Sequence, residues 1–366
     1  MLKRFEVTGF KNFKDTLTID FTDVRDYKFN TECITDDTIS KMIVYGKNSV
    51  GKSNLGLAVF DIVTHLFSKK VNEDLYVYYL NSESQQDYAE FKYLFRFNNA
   101  DVWYRYKKNA QQELLFEEIA IDNDLFFRYD FRNGEVAYGE TFRAIAGSLR
   151  FKNLNVESAL SYFVNNVSLE ENHPLSQMIS FVNSMLWFKC PDDDEYIGYK
   201  FKRTDYYSFL KDDTLRNEFQ QFLYNAGVKE NLDIKKEPDG TMALYFDTAT
   251  PMPFFKVASS GTKALYTFFY WYKTAKDVSL IFIDEFDAFY HYELAESIVR
   301  LLEKMPHTQV ILTSHNTNLL TNRIMRPDCY FILSDNKLTS FANATDRELR
   351  EGHNLEKLYK SGEFDG

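Results

Sequence analysis

The feature that most constrains this chain is a glycine-rich segment at residues 46–53. Its sequence, GKNSVGKS, matches G-x-x-x-x-G-K-[S/T] at every fixed position. Glycines allow such a loop to curl until its N–H groups point at phosphate oxygens. The segment lies between an apolar run at residues 41–45, typical of a buried strand, and an apolar run from Asn54 that predicts a helix. A phosphate-binding loop requires this context, so the segment predicts an α/β nucleotide-binding fold.

The same loop, hereafter the P-loop, supplies most of the predicted nucleotide ligands. Lys52 is expected to contact the β- and γ-phosphates of ATP, and the Ser53 hydroxyl to bind Mg²⁺. The other predicted ligands in or beside the loop are Gly46, Asn48, Ser49, Gly51 and Asn54. The alternative, an ordinary glycine-containing turn, is disfavoured because the loop stands between a strand and a helix.

Two further apolar segments end in residues with useful chemistry. Residues 279–283 precede Asp284 and Glu285, and residues 310–313 closely precede His315. We predict that Asp284 holds Mg²⁺ through water, that Glu285 polarises the attacking water, and that His315 hydrogen-bonds the γ-phosphate. Alone, such residues are more often solvated strand ends or a surface histidine. The P-loop upstream favours the functional interpretation.

A second anion site is predicted at the start of a helix expected over residues 261–275. The helix opens with the sequence SSGTK, in which Ser260 and Gly261 offer a hydroxyl and unpaired N–H groups. Simple N-capping is the alternative explanation. Two anion-binding helix ends in one chain suggest that phosphate is held between two protomers, one end from each.

The composition narrows the classes of protein to which this chain can belong. The 366 residues carry 43 Lys+Arg and 54 Asp+Glu, a net charge of −11, which argues against nucleic-acid binding through bulk charge. Cys33, Cys190 and Cys329 lie far apart and predict neither a disulfide framework nor a zinc site. The sequence shows no signal-peptide core and no apolar run long enough for a membrane span. We therefore expect a soluble cytoplasmic protein.

Hydrophobic patterning predicts the organisation of the chain. Residues 2–21 alternate as two strands joined by a turn, residues 90–131 as successive hairpins of an antiparallel sheet, and residues 140–230, including 177–188, follow helical spacing. A strand at 242–246 and a helix at about 291–304 follow. The predicted divisions are an amino-terminal part of the nucleotide-binding unit (1–140), a helical insertion (141–230) and a carboxyl-terminal part (231–366).

The order of these motifs resembles an ABC-type ATPase head, and most closely the OLD/RecF/SMC-like branch of AAA-type ATP-binding proteins. The run GFKNF at residues 9–13 is similar to the first turn of that branch, and Lys11 and Asn12 match its nucleotide-facing positions. DEFDAFYH at 284–291 resembles the family's Asp-Glu-x-Asp-x-x-x-His run. The resemblance implies that Asp287 and His291 lie near a dimer interface.

The sequence also departs from this family. Its signature is SSGTK rather than LSGGQ, so the contact across the dimer falls to Ser260 and Gly261, and Tyr292 replaces the proline after the family's histidine. Asn165 stands where the family places its Q-loop glutamine. The TOPRIM nuclease domain that follows in longer OLD-type proteins is not evident.

These observations predict an α/β P-loop NTPase with an ABC-ATPase-like head, an antiparallel β lobe and a helical insertion. The resemblance implies ATP and Mg²⁺ as ligands, hydrolysis by a head-to-tail homodimer or higher homo-oligomer, and control of a separate effector, a nuclease or toxin, in bacterial anti-phage defence. Trp187, Phe188 and the acidic run 192–195 are expected at the edge of its docking surface. The alternatives are a RecF-like DNA-binding repair ATPase and a nucleotide-gated scaffold with negligible turnover.

Overall fold

A computed structural model describes residues 1–67, 72–151, 154, 158–189, 196–198, 206 and 208–364. Its strands are β1 Leu2–Thr8, β2 Leu17–Asp20, β3 Ile34–Thr35, β4 Thr38–Ile39, β5 Lys41–Tyr45, β6 Ala89–Phe97, β7 Ala100–Lys108, β8 Leu114–Ile121, β9 Asp124–Asp130, β10 Val136–Tyr138, β11 Leu186–Lys189, β12 Tyr196–Gly198, β13 Leu232–Lys236, β14 Met242–Phe246, β15 Met252–Pro253, β16 Leu280–Asp284, β17 Gln309–Thr313, β18 Tyr330–Ser334 and β19 Lys337–Ser340. Its α-helices are α1 Lys52–Leu66, α2 Glu140–Ala146, α3 Ala159–Asn166, α4 Pro174–Asn183, α5 Asp213–Asn225, α6 Phe254–Val257, α7 Ser260–Thr274, α8 Tyr292–Glu303 and α9 Leu355–Lys360.

The central sheet carries the predicted site. Its strand order is β12-β11-β16-β17-β5-β18-β19, in which β11, β16, β17, β5 and β18 run parallel and the two outer strands run antiparallel. Strands β5, β16 and β17 are buried throughout, as expected of parallel strands covered on both faces. Their carboxyl ends meet at one edge, where an α/β sheet binds its ligands.

The second seven-stranded sheet is antiparallel, with the order β10-β9-β8-β7-β6-β1-β2. Alternate residues of β6 and β7 are buried, so one face of this sheet packs inward and the other meets solvent. The predicted antiparallel lobe is confirmed, although the same sheet also contains β1 and β2. A smaller sheet, β13-β14-β15, and the pair β3-β4 complete the described strands.

Helix α1 lies between the two large sheets. On one side its Gly56 packs against the central sheet so closely that a Cβ there would lie 2.6 Å from Trp187 Nε1 and 2.7 Å from Phe282. On the other side the Tyr93 hydroxyl of β6 donates to the Ala58 carbonyl at 3.0 Å. Only glycine allows the helix to approach the central sheet this closely.

The helix predicted over residues 177–188 is wrong at its carboxyl end. Helix α4 ends at Asn183, where Ser184 caps it by donating to the Ser180 carbonyl, and residues 186–189 form strand β11 instead. Trp187 and Phe188 are 1% and 2% exposed, so they belong to the core and not to a docking surface. The apolar run fits both a buried helix and a buried strand, and pattern alone does not separate them.

Other expectations are settled within the described residues. Cys33 and Cys329 are buried and free, whereas Cys190 and the acidic run 192–195 lie outside the described residues. The predicted boundaries of the strands and helices of the nucleotide-binding unit agree with the structure within two residues. Helix α1, for example, begins at Lys52, whereas the sequence predicted a start at Asn54. The divisions at 140 and 230 stay a prediction. No helix in the described ranges is long and apolar enough to cross a bilayer.

Candidate nucleotide site

The P-loop connects the carboxyl end of β5 to the amino terminus of α1. Ser49 (φ 65°) and Gly51 (φ 105°) adopt left-handed backbone angles, which turn the chain sharply before the helix. A φ of 105° strains any residue with a Cβ, and a Cβ at Gly51 would also lie 3.0 Å from Asn12. The Asn12 amide donates to the Ser49 carbonyl at 3.2 Å, so the turn at residues 9–13 braces the loop.

Lys52 folds back over the loop. Its ammonium donates to the carbonyls of Gly46 at 2.8 Å and Lys47 at 3.1 Å, and it lies 3.5 Å from His315 Nδ1. Burial lowers the pKa of Lys52, while the charges of Asp284 and Glu285 act to raise it. A cation held by neutral carbonyls at a helix amino terminus provides a site for a phosphate anion.

Asp284, the last residue of β16, is 1% exposed. Its Oδ1 accepts a hydrogen bond from the Thr313 hydroxyl at 2.7 Å, whereas Oδ2 is buried and has no hydrogen-bond partner among the described residues. A buried carboxylate oxygen with no partner is costly unless another ligand satisfies it.

Glu285 follows directly and takes a left-handed backbone angle, φ 50°. Its N–H donates to Thr313 Oγ1 at 2.8 Å, so one threonine hydroxyl on β17 contacts both residues of the acidic pair. The Glu285 carboxylate points into the cavity, and its Oε2 lies 3.7 Å from Lys189 Nζ. The strained angle redirects Glu285 away from the course of the strand.

His315 lies two residues beyond β17 and lines the same cavity as the acidic pair. Burial and then the Lys52 charge lower the pKa of His315, so the imidazole is neutral at pH 7. A neutral ring can accept a hydrogen bond at one nitrogen and donate from the other. It can therefore respond to the presence of a phosphate oxygen without carrying a fixed charge.

These side chains surround one cavity of about 370 Å³. The lining residues are Asn12, Asn48, Ser49, Gly51, Lys52, Ser53, Asn54, Asp284, Glu285 and His315. Every one of them is a predicted site residue, drawn from four separate stretches of sequence. The fold brings them together because β5, β16 and β17 are parallel neighbours.

The remaining predicted residues lie elsewhere. Gly46 supports the site through its carbonyl, but Lys11 directs its ammonium to the Val77 carbonyl at 2.8 Å and does not line the cavity. Ser260 and Gly261 begin α7, where Ser259 caps the helix by accepting the Thr262 N–H. They too lie outside the cavity lining.

Two expectations taken from the family resemblance receive less support. Asn165 is exposed on the last turn of α3 and does not line the cavity, because the segment that carries it packs on the antiparallel lobe. Asp287 is 7% exposed and accepts a hydrogen bond from the Ser314 hydroxyl at 2.7 Å, so it is bound within its own chain. His291 is exposed at the start of α8.

The donor set fits a bound Mg²⁺. Ser53 lines the cavity together with Asp284, whose buried Oδ2 lacks a hydrogen-bond partner in the part of the chain that the structure describes. Magnesium is commonly held by one or two protein oxygens together with substrate phosphates and water. Within the described ranges there is no cluster of three or more His, Cys, Asp or Glu that could hold a metal without such help.

Sequence reasoning missed two residues of this region, Thr313 and Lys189. Thr313 belongs to the run before His315, and a polar residue closing an otherwise apolar buried strand was the available signal. Lys189 gave no such signal, because its place beside Asp284 follows from the pairing of β11 with β16. Strands β11 and β16 are about 90 residues apart in the chain, so the sequence does not reveal that they pair.

The parallel sheet, the P-loop and the acidic pair define an ATPase-type P-loop nucleotide-binding protein. A family model described as "AAA domain, putative AbiEii toxin, Type IV TA system" matches residues 41–321. The match covers well over half of the chain, and the chain belongs to that family. The predicted resemblance to AAA-type ATP-binding proteins is thereby confirmed.

Comparison with solved structures finds SMC head domains. An SMC head bound to the C-winged helix domain of ScpA is 13% identical, with a TM-score of 0.46 over 93% of this chain and 97% of that one. The Thermotoga maritima SMC head is 15% identical, with a TM-score of 0.41 over 93% and 98%. A Pyrococcus furiosus complex of the head with ScpA is 12% identical, with a TM-score of 0.45 over 98% of both chains. No curated protein matches the sequence.

Proposed function

We propose that this protein hydrolyses ATP with Mg²⁺ at the cavity beneath the P-loop. The observation that carries the proposal is the meeting of Lys52, Ser53, Asp284 and Glu285 around one cavity, with Asp284 Oδ2 buried and unsatisfied. Phosphoryl transfer requires little covalent chemistry from the protein. It depends on positioning and on stabilising charge, which these groups supply.

Each residue has a distinct role in this mechanism. The Lys52 ammonium leaves the loop carbonyls for the β- and γ-phosphates, and backbone N–H groups at the start of α1 bind the remaining oxygens. Glu285 accepts a hydrogen bond from the attacking water and orients it towards the γ-phosphate. Ser53 and Asp284 are the residues that would hold Mg²⁺, which would neutralise phosphate charge when bound. His315 hydrogen-bonds the γ-phosphate.

Phosphate release and nucleotide binding, measured separately, test this function. Lys52→Ala should lose ATP binding, while Glu285→Gln should keep it and turn over about 10²–10⁴-fold more slowly, the scale for loss of a positioned base. Glu218→Gln is a matched control, because Glu218 is an exposed carboxylate paired with Lys273 at 2.5 Å on the surface. Unchanged ATP affinity in folded Lys52→Ala would reject the site. ATP binding without phosphate release in wild type would instead favour a nucleotide-gated scaffold.

We also infer that the working unit is a head-to-tail homodimer. Ser260 is exposed at the amino terminus of α7, and Gly261 packs under the backbone of Phe289, where a Cβ would lie 2.9 Å from its carbonyl. Both lie outside the cavity of their own chain. An exposed helix amino terminus with a free serine is suited to contact phosphate bound by a second protomer.

The proposed output is control of a separately encoded effector, a nuclease or toxin, in bacterial defence. The family description, which names a toxin of a type IV toxin–antitoxin system, supports this part. The neighbouring gene product should co-purify with Glu285→Gln in ATP and be released from Lys52→Ala. Equal retention by both variants would separate effector binding from the nucleotide state.

The RecF-like alternative receives less support from the antiparallel lobe. Its solvent face carries an alternating set of ion pairs that includes Arg105–Glu90 at 2.6 Å, Lys92–Glu6 at 3.5 Å and Arg128–Glu118 at 3.6 Å. Basic groups already paired with carboxylates do not form the unpaired stripe that binds DNA phosphates. A mobility-shift titration with double-stranded DNA over a salt series tests the alternative directly.

A further inference from the structure

Lys189 occupies the last position of β11, beside the acidic pair. Strand β11 runs parallel to β16, and the register sets Lys189 directly opposite Asp284. Its backbone therefore ends at the same sheet edge as the P-loop strand and the two strands that carry Asp284 and Thr313. The proposed function so far gives this lysine no role.

The Lys189 ammonium lies 3.7 Å from Glu285 Oε2. Of the described residues, it is the one cation within ion-pair distance of that carboxylate. Lys52 lines the cavity, and its ammonium is held by the carbonyls of Gly46 and Lys47. The carboxylate that would orient water therefore has a cation beside one of its oxygens.

The ion pair between Lys189 and Glu285 is weak enough for the lysine to exchange the carboxylate for another anion. The side chains of Lys189 and Glu285 are 31% and 36% exposed, and ion pairs of such exposure contribute little to stability because water screens them. A phosphate oxygen carries more charge and forms a stronger, charge-assisted hydrogen bond with an ammonium. The four-carbon stem of lysine allows the ammonium to move between neighbouring anions without movement of the backbone.

We propose that Lys189 senses the γ-phosphate of ATP. The Lys189 ammonium pairs with Glu285 when the γ-phosphate is absent and pairs with the γ-phosphate when ATP is bound. The exchange frees Glu285 for the water molecule only when there is a bond to hydrolyse. ADP lacks the γ-phosphate and leaves the pair in place. This inference rests on the proposed function, since it assigns the γ-phosphate to the same cavity.

The test compares the affinities of the protein for ATP and ADP. Only the ratio of these two affinities distinguishes recognition of the γ-phosphate by Lys189 from a structural role of Lys189. Using fluorescent ATP and ADP analogues with Mg²⁺, Lys189→Met should weaken ATP binding about tenfold or more, the scale of a lost hydrogen bond to a charged group. ADP binding should change by less than about twofold. Lys189→Arg keeps the charge and should restore most of the preference for ATP.

Lys235→Met is the matched control. Lys235 pairs with Asp233 at the same distance, 3.7 Å, and is 32% exposed, but it lies on β13 away from the cavity. It should leave both affinities unchanged. If Lys189→Met is poorly folded by circular dichroism, Lys189→Gln replaces it.

The outcomes separate this inference from the function beneath it. Equal losses of ATP and ADP affinity, or an unchanged ratio, would overturn the role of Lys189 while leaving ATP hydrolysis standing. Wild-type protein that binds neither nucleotide would overturn both. A wild type that binds ATP but releases no phosphate would reject hydrolysis alone, and the affinity ratio would still decide the role of Lys189.

Discussion

At the scale of single residues, the hydroxyl of Thr313 organises the acidic pair. It donates to Asp284 Oδ1 and accepts the N–H of Glu285, which fixes one carboxylate and the backbone that presents the other. Because β17 is the neighbour of β16, a side chain from the next strand sets the geometry of residues it does not adjoin in sequence.

We predict that Thr313→Val lowers kcat about 10–100-fold. The valine removes both hydrogen bonds and leaves buried polar groups unpaired, at a cost of about 1–3 kcal/mol each. Thr313→Ser retains the hydroxyl and should stay within about threefold of wild type. Steady-state phosphate release measures both. Loss of activity in the serine variant comparable with that in the valine variant would show that the methyl group, not the hydroxyl, matters.

Asp287 gives a prediction about pH. Burial raises the pKa of Asp287 from 3.8 to about 6. A carboxyl group with a raised pKa holds its proton more tightly in the folded state, so its contribution is favourable below about pH 4 and is lost as the pH rises towards 6. Relative to Asp287→Asn, wild type should lose roughly 2 kcal/mol of unfolding free energy between pH 4 and pH 7.

Urea denaturation of wild type and Asp287→Asn across that range measures the difference. The amide keeps the hydrogen bond from Ser314 but does not titrate. Parallel pH curves for the two proteins would contradict the prediction.

The residues of the site differ in how readily they can be predicted from the sequence. The P-loop was predictable because its chemistry is contained in eight consecutive residues, and Asp284, Glu285 and His315 because each ends an apolar strand. Lys189 was not, since its role depends on which strands pair. Lys11 was misplaced because its motif position does not determine where a long side chain points.

At the scale of elements, a buried polar network joins α1 to the antiparallel lobe. Asp61 on α1 accepts hydrogen bonds from the Tyr79 hydroxyl at 2.8 Å, the Tyr106 hydroxyl at 2.9 Å and the Lys108 ammonium at 2.7 Å. Asp61 is fully buried and Lys108 is 1% exposed. The helix that begins at the P-loop is therefore attached to the lobe by charge as well as by packing.

We predict that Lys108→Met destabilises the protein by about 3–5 kcal/mol, because it leaves the Asp61 carboxylate buried without its cation. The double variant Asp61→Asn, Lys108→Met removes both charges and should recover part of that loss. Urea denaturation of wild type, Lys108→Met, Asp61→Asn and the double variant gives the comparison. A double variant destabilised by as much as the sum of the two single changes, or by more, would mean that the charges do not act as a pair.

The elements also show where sequence patterns are insufficient. Strands β6 to β9 were predictable because alternate residues face the core and solvent, and Asn/Asp turns separate them. Strand β11 was predicted as the end of a helix, since the three apolar residues that begin it are buried on both faces and carry no alternation. Length and the Ser184 cap distinguish the two, and neither is decisive before the fold is known.

At the scale of the whole molecule, the proposed composite site makes a prediction about mixtures. Lys52→Ala and Ser260→Arg should each be inactive alone, the first through its P-loop and the second through the contact it makes across the dimer. In a mixed dimer, the intact P-loop of the Ser260→Arg chain meets the intact Ser260 of the Lys52→Ala chain. An equimolar mixture should therefore recover at most about a quarter of the wild-type rate.

Phosphate release from the mixture, with each variant alone as control, measures this recovery. Normal ATPase activity in pure Ser260→Arg would reject the dimer. No recovery in the mixture, with both chains shown to associate, would place Ser260 outside the site.

The close packing of Gly56 beneath Trp187 also gives the protein an intrinsic optical probe. The indole N–H is buried and has no hydrogen-bond partner within the described ranges, and it packs against Gly56 of the helix that begins at the P-loop. The chain contains three tryptophans, so replacing Trp103 and Trp271 with phenylalanine leaves this one. Its emission should shift when ATP repositions the first turns of α1, and ADP should shift it less. The adenosine nucleotides could then be distinguished in solution by fluorescence, without any attached label.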